Sequence, residues 1–289
     1  MVQGFSSKTK RLILNADDFG LHESINESIE IAHNKGVLTS SSLVANGEDF
    51  EGAVKIAKRN SALGVGIHLT LVGERPLADP SRISSIVDDK GMLLESYIRL
   101  FTRMINGKVD MDHIALECEE QILRFVKSGL VPTHVDSHQH LHLFPPIFKV
   151  LGTILRKYGI TKIRSLSIPW FDYRLADMRK IGFALFTRWS KVLKDPGYKK
   201  PDYFIGFFRS GRMDADYLEK MLARIRPGVT EINLHPGTDN SKIGERYGFL
   251  KDRYGWACNW ERELNTLLSH AVKDAISANN ISLINYKEF

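Results

Sequence analysis

Leu12-Ile13-Leu14-Asn15-Ala16-Asp17-Asp18-Phe19-Gly20 is the stretch whose reading decides the fold. Residues 12–16 form a short, largely apolar run that reads as a buried strand, and Gly20 marks the turn that ends it. A helix is predicted next, over 23–35. Ile25, Ile29 and Ala32 recur there at helical spacing, and Gly36 is a good C-terminal stop. Strand, turn and helix then repeat. Residues 39–44 and 63–69 read as the second and third strands, with a helix over 48–59 between them that places Phe50, Val54 and Ala57 on one side. Later strands are expected at 131–135, 161–165, 203–207, 229–234 and 281–286. Helices are expected at 110–128, 145–158, 214–225 and 259–278.

Strands alternating with helices along a whole chain argue for an α/β fold with a parallel sheet. Seven or eight such units fit a (β/α) barrel better than a doubly wound sheet. The doubly wound sheet also lacks its Gly-rich dinucleotide fingerprint after the first strand. Two stretches break the rhythm, 72–110 and 169–201, and both are too long to be plain connections. They read as insertions over a site in a single domain covering 1–289.

The bulk numbers bound the class. The chain has 289 residues, 43% hydrophobic and 26% charged, as a globular protein does. Its net charge of +6 is spread widely, with no block of like charge that would mark a nucleic-acid tail. Two cysteines, Cys118 and Cys258, stand far apart and outside any metal-ligand spacing. A disulfide scaffold is therefore not expected, and a reducing compartment is the simple reading. The first ten residues are polar and lack the apolar core of a signal peptide, and no apolar run is long enough to span a bilayer. A cytoplasmic location is expected.

The chemistry gathers at strand ends. Thr133-His134-Val135-Asp136-Ser137-His138-Gln139-His140-Leu141-His142 carries four histidines and an aspartate just after a strand. Imidazole is the commonest neutral metal ligand, so packing or solvation is the weaker reading of such a run. Asp17 and Asp18 end the first strand, His68 the third, Arg164 the fifth and His235 the seventh. In a (β/α) barrel these ends share one face, which carries the active site. Each alone has a plain explanation: a helix cap for the aspartates, a core histidine, a surface ion pair, a loop residue. Their coincidence is harder to explain by packing.

Asn15-Ala16-Asp17-Asp18-Phe19-Gly20, Gly66-Ile67-His68-Leu69, His134-Val135-Asp136-Ser137-His138 and Leu234-His235-Pro236-Gly237 resemble, in order, the motifs of the YdjC-like carbohydrate deacetylases. The resemblance runs from about Arg11 onward and looks closest to the subgroup associated with hopanoid biosynthesis. It implies an imperfect TIM-like barrel, a homodimer and one divalent metal, Mg²⁺ by family with Zn²⁺ as the alternative that two imidazoles also suit. Carried onto this chain, the metal ligands are Asp18, His68 and His138. One carboxylate and two imidazoles leave positions open for water and substrate.

The implied reaction is hydrolysis of the acetamide of an N-acetylated sugar, free or lipid-linked. The metal polarises the carbonyl and activates water, Asp17 is the general base, and His235 protonates the leaving amine. Asp136 and Arg164 orient the ligands or the base. His140 and His142 share the alternation of His138 and could also face the site. A metal-dependent phosphoesterase and a catalytically silent sugar-binding protein are the competing classes. Finally, 174–194 reads as a helix with an apolar stripe that includes Phe186 and Trp189 and a basic opposite face. It is either barrel cladding or a lid making peripheral contact with an anionic membrane surface.

Overall fold

A computed structural model describes residues 9–172, 197–254 and 256–289. The predicted 174–194 helix lies outside the described residues. Among the described residues seven strands form one parallel sheet: β1 (Lys10–Phe19), β2 (Ser40–Leu43), β3 (Gly64–Leu69), β4 (Val135–Ser137), β5 (Tyr203–Ile205), β6 (Gly228–Leu234) and β7 (Ile281–Leu283). The order is β4-β3-β2-β1-β6-β5, and β7 pairs with the first residues of β1. Every pairing is parallel. The sheet curls as expected of an imperfect TIM-like barrel.

Residues 161–165 were expected as a strand. They make isolated bridges instead, Ile163 with Val135 of β4 on one side and Lys162 with Lys199 on the other. Ser167 O then accepts from Phe204 N–H of β5 at 3.0 Å, which carries the backbone bonding round towards the other edge.

The helices are α1 (Glu23–Lys35), α2 (Phe50–Arg59), α3 (Tyr97–Ile105), α4 (Met111–Lys127), α5 (Pro145–Lys157), α6 (Ala215–Leu222), α7 (Asn240–Tyr247), α8 (Phe249–Tyr254), α9 (Trp260–Leu268) and α10 (His270–Ala278). The single helix expected over 259–278 is two, because Ser269 is extended at φ −60°, ψ 129°. α7 and α8 were not predicted. Among the described residues no helix is long and apolar enough to cross a membrane.

Strand alternation sorts the side chains. On β1, Leu12, Leu14 and Ala16 join the core beneath the helices, with Ile25, Ile29 and Ala32 of α1. Ile13 points the other way, into a small cluster with Val229, Ile284 and Tyr286. Asn15 and Asp17 continue that inward face, so it changes from apolar to polar along the strand. β6 repeats the pattern: Ile232 and Leu234 lie in the outer core, while Val229, Glu231 and Asn233 alternate with them. All these polar side chains are buried. Most buried polar groups are hydrogen-bonded, and Asp17 and Glu231 on this inner face are tied into one network.

Candidate active site

Arg164 is the hub of that network and is fully buried. Its guanidinium grips Asp17 with both amines, Nη1 to Oδ2 at 2.8 Å and Nη2 to Oδ1 at 2.7 Å. Its Nε donates to Glu231 at 2.8 Å, and Nη2 lies 2.8 Å from Asp136 Oδ2. Burial opposes the charge, but the three carboxylates around it hold Arg164 well above even its usual basic range. The plain surface ion pair that the sequence also allowed is ruled out. Tyr286 donates to Glu231 at 2.6 Å, and Ser42 to Asp136 at 2.7 Å. Burial pushes the Glu231 carboxyl up to about 7 against the pull of Arg164 and Tyr286.

Asp18, His68 and His138 come from three different strand ends, and their ligand atoms lie within 4.8 Å of one another. Asp18 Oδ1 is 3.6 Å from His68 Nε2 and 3.3 Å from His138 Nδ1. Ligands each about 2.1 Å from one cation sit roughly 3–3.5 Å apart, so the trio fits such an ion. His68 gives Nδ1 to Asp136 at 2.7 Å, which leaves Nε2 for a ligand, the usual support for a metal-bound imidazole. A second trio, Asp17, His68 and Asp136, is equally close, but Arg164 already holds both its carboxylates. The Asp18 set is therefore the better site for a divalent cation.

Charge agrees with this. Burial would raise the Asp18 carboxyl, but His138, His235 and His68 together hold it far below the carboxylate range. Burial also disfavours a charged His68, yet Asp136 and Asp17 outweigh it and raise that ring to about 9.

The local backbone explains the aim of these side chains. Asp18 adopts a left-handed φ of 66°, at a break in register between β1 and β2. That conformation costs an L residue energy, though Asp tolerates it better than most. It turns Asp18 out of the alternation, so that two consecutive aspartates both serve the site. Gln139 and His140 are left-handed as well, each at φ 56°. The expected parity of His138, His140 and His142 ends there, because β4 stops at Ser137 and the chain then kinks at Gln139–His140 within a tightly turned 138–143 segment. His142 is spent on structure, with Ser137 Oγ at 2.7 Å from Nδ1 and the Arg164 carbonyl at 3.1 Å from Nε2. His140 packs edge-on against Phe204. His134 lies flat on Tyr286, with centroids 3.7 Å apart. Burial lowers its ring to about 3, so it stays neutral.

His235 completes the rim. Its Nε2 is 3.9 Å from Asp17 Oδ2, while Nδ1 faces Ser210 Oγ at 3.3 Å and Glu263 Oε2 at 3.7 Å. Glu263, from α9, also accepts from the His235 backbone N–H at 2.5 Å and from Met213 N–H at 3.0 Å. Burial opposes a charged His235, but Glu263, Asp18 and Asp17 raise it above the ordinary histidine value. The sequence reading missed Glu231, Glu263, Ser42 and Tyr286. For Glu231 a signal existed: an acid inside an apolar strand, four residues before His235 and on its face.

The chain matches the model of the YdjC-like protein family over residues 11–278. It is 39% identical over 283 residues to the chitooligosaccharide deacetylase of Yersinia enterocolitica, covering 96% of this chain and 99% of that one. It is 31% identical over 279 residues to a carbohydrate deacetylase of Clostridium beijerinckii, with 96% and 99% covered. The crystal structure of a candidate cellobiose-phosphate cleavage protein of Enterococcus faecalis V583 superposes with a TM-score of 0.74 at 26% identity, over 96% of this chain and 98% of that one. None of these relatives supports the narrower hopanoid-associated subgroup. Four strand-end motifs, an Asp and two His gathered at one point, and a match along nearly the whole length make this chain a member of the YdjC-like family.

Proposed function

We propose that this chain is a metal-dependent N-deacetylase of N-acetylated saccharides, acting as one domain. The observation that carries the reading is the approach of His235 to Asp17, 3.9 Å apart, beside the Asp18–His68–His138 trio. Asp18, His68 and His138 would hold the cation. When bound, it supplies Lewis-acid polarisation of the acetamide carbonyl and of a water; Mg²⁺ follows from the family resemblance, with Zn²⁺ the alternative.

The protein's own groups then divide the proton work. Asp17 Oδ1 already accepts from Arg164 and Asn15. Among the described residues its Oδ2 accepts from Arg164 alone, which leaves one lone pair on the side of His235. Oδ2 is thus the atom that takes the proton of the attacking water. The C–N bond breaks as His235 Nε2 gives a proton to the nitrogen, and acetate and the free amine result. Glu263 and Ser210 hold the ring from its Nδ1 side and keep Nε2 turned inward. Asp136 and Arg164 orient His68 and Asp17 and touch no reacting atom.

Acetate release from N-acetylglucosamine oligomers, assayed beside a panel of phosphate esters and an N-acetylated glycolipid, tests the reading. Acetate from the oligomers is expected. Phosphate release instead would make the chain a phosphoesterase, no turnover of any substrate a silent binder, and turnover of the glycolipid alone would move the substrate to the lipid-linked class. The homodimer and the cytoplasmic location belong to the same reading, and light scattering on the purified protein checks the first.

A further inference from the structure

Trp256 is joined to His235 in two ways that the chemistry above leaves unused. It lies in the link between α8 and α9 and is half-buried. Its indole stands edge-on to the His235 imidazole, with centroids 5.5 Å apart and planes at 78°. Its Nε1–H donates to Ser210 Oγ at 2.9 Å, and the same oxygen lies 3.3 Å from His235 Nδ1. An indole nitrogen only donates, so the direction of the Trp256–Ser210 bond is fixed whichever tautomer the histidine adopts. Three separate loops thus meet at one ring: Ser210 follows β5, His235 follows β6, and Trp256 precedes α9.

The indole is itself held. Trp260 of α9 packs against it, with centroids 5.0 Å apart. On another side Gly211 lies so close that a Cβ there would fall 2.6 Å from the indole Cε2. Trp260 O also accepts from Gly237 N–H at 3.1 Å, which ties the chain just after His235 to the same helix. The plain explanation of Trp256 is packing of the α8–α9 link. Trp260 already supplies that, being 2% exposed and part of the main core. Packing also needs no indole N–H, and does not require its bond to end on the hydroxyl beside Nδ1. A second explanation, a face on which a sugar ring rests, accounts for the half-buried indole but not for that bond. Histidine, by contrast, needs such a support. Its χ2 torsion is broad, so neighbours must fix the plane of the ring. Glu263 Oε2, 3.7 Å from Nδ1, is too far to do so alone.

We infer that Trp256 is a positioning residue for the proton donor. Its edge sets the plane of the His235 ring, and its N–H holds Ser210 Oγ against Nδ1, so that Nε2 stays turned towards Asp17. This rests on the deacetylase reading above. Kinetics and a structure test it. Trp256→Phe keeps an aromatic edge and loses the N–H; Trp256→Leu loses both. On N-acetylglucosamine oligomers Trp256→Phe should lower kcat about five- to tenfold, the worth of one hydrogen bond, and leave KM nearly unchanged. Trp256→Leu should lower kcat about a hundredfold, as misplacement of a reacting group does. Ser210→Ala added to Trp256→Phe should cost little more than the larger single change, because both remove the same bond. In crystals of Trp256→Leu the His235 ring should turn or occupy two orientations. A raised KM at native kcat would make the indole a sugar platform, and losses that multiply in the double variant would make it packing; either overturns the inference. So does a single native orientation of His235 in the Trp256→Leu crystals. All three leave the deacetylase reading standing. Failure of the native enzyme to release acetate from any N-acetylated saccharide overturns that reading and the positioning role with it.

Discussion

Asp17 spends three of its hydrogen-bonding positions on Arg164 and Asn15 and keeps one for chemistry. Asp17→Asn should lower turnover by ~10²–10⁴-fold, the usual worth of a positioned general base. The same change unpairs part of a buried guanidinium and should cost about 1–3 kcal/mol in denaturant unfolding, while metal content stays at the native level. His235 makes a second prediction. It must be protonated to act as the acid, and Glu263 helps raise it above the ordinary histidine value. The alkaline limb of the kcat/KM profile should therefore lie above about pH 6.5, and Glu263→Gln should bring it to lower pH. An alkaline limb unmoved by that substitution would separate Glu263 from the acid. The residues of the candidate site were legible because they carry motif chemistry next to strand ends. Glu263 was not, because on its own helix it is only one acid among polar neighbours, and its burial depends on a contact made across the fold.

Elements deliver these residues, and small backbone departures do the aiming. The left-handed turns at Asp18 and at Gln139–His140 bend two strand ends so that Asp18 and His138 meet. Gly66 shows the same economy on β3, since a Cβ there would overlap the ring of His134, which lies across it. Gly66→Ala should destabilise the protein by about 1–3 kcal/mol through overpacking, and should loosen His68 two residues on. A thermal midpoint unchanged in that variant would show that the ring has room to move. The alternation of strands and helices was legible because buried parallel strands are apolar runs. The fourth strand was placed too early, at 131–135, because valine favours strands; in the structure Val131 is 84% exposed and the strand is Val135–Ser137. The 259–278 helix looked continuous because no glycine or proline interrupts it, and the extended backbone of Ser269 has no such punctuation.

Taken whole, the molecule concentrates acids in one place: Asp17, Asp136 and Glu231 face the buried Arg164, and Asp18 stands beside them against His68 and His138. A divalent cation would balance that excess, so its removal should matter to the whole fold. Chelation should lower the thermal midpoint, and re-added metal should restore it in proportion to concentration. Because His68 is raised to about 9 in the metal-free protein, binding must displace its proton. Calorimetry in buffers of different ionisation heat should show about one proton released per ion near pH 7.5, with affinity rising roughly tenfold per pH unit up to pH 9. No proton release would mean that His68 is not a ligand. The hub also has a history in time. Arg164 reaches Asp17 across 147 positions of chain and Glu231 across 67, and Tyr286 closes on Glu231 from 55 positions further on. β1 itself waits for residues 281–283. No local segment can assemble this centre. Pairings so remote slow the search for the native state. During synthesis the arginine and its acids must remain hydrated until nearly all of these positions have emerged. The charged centre can dry only after those distant positions have met, so it closes late.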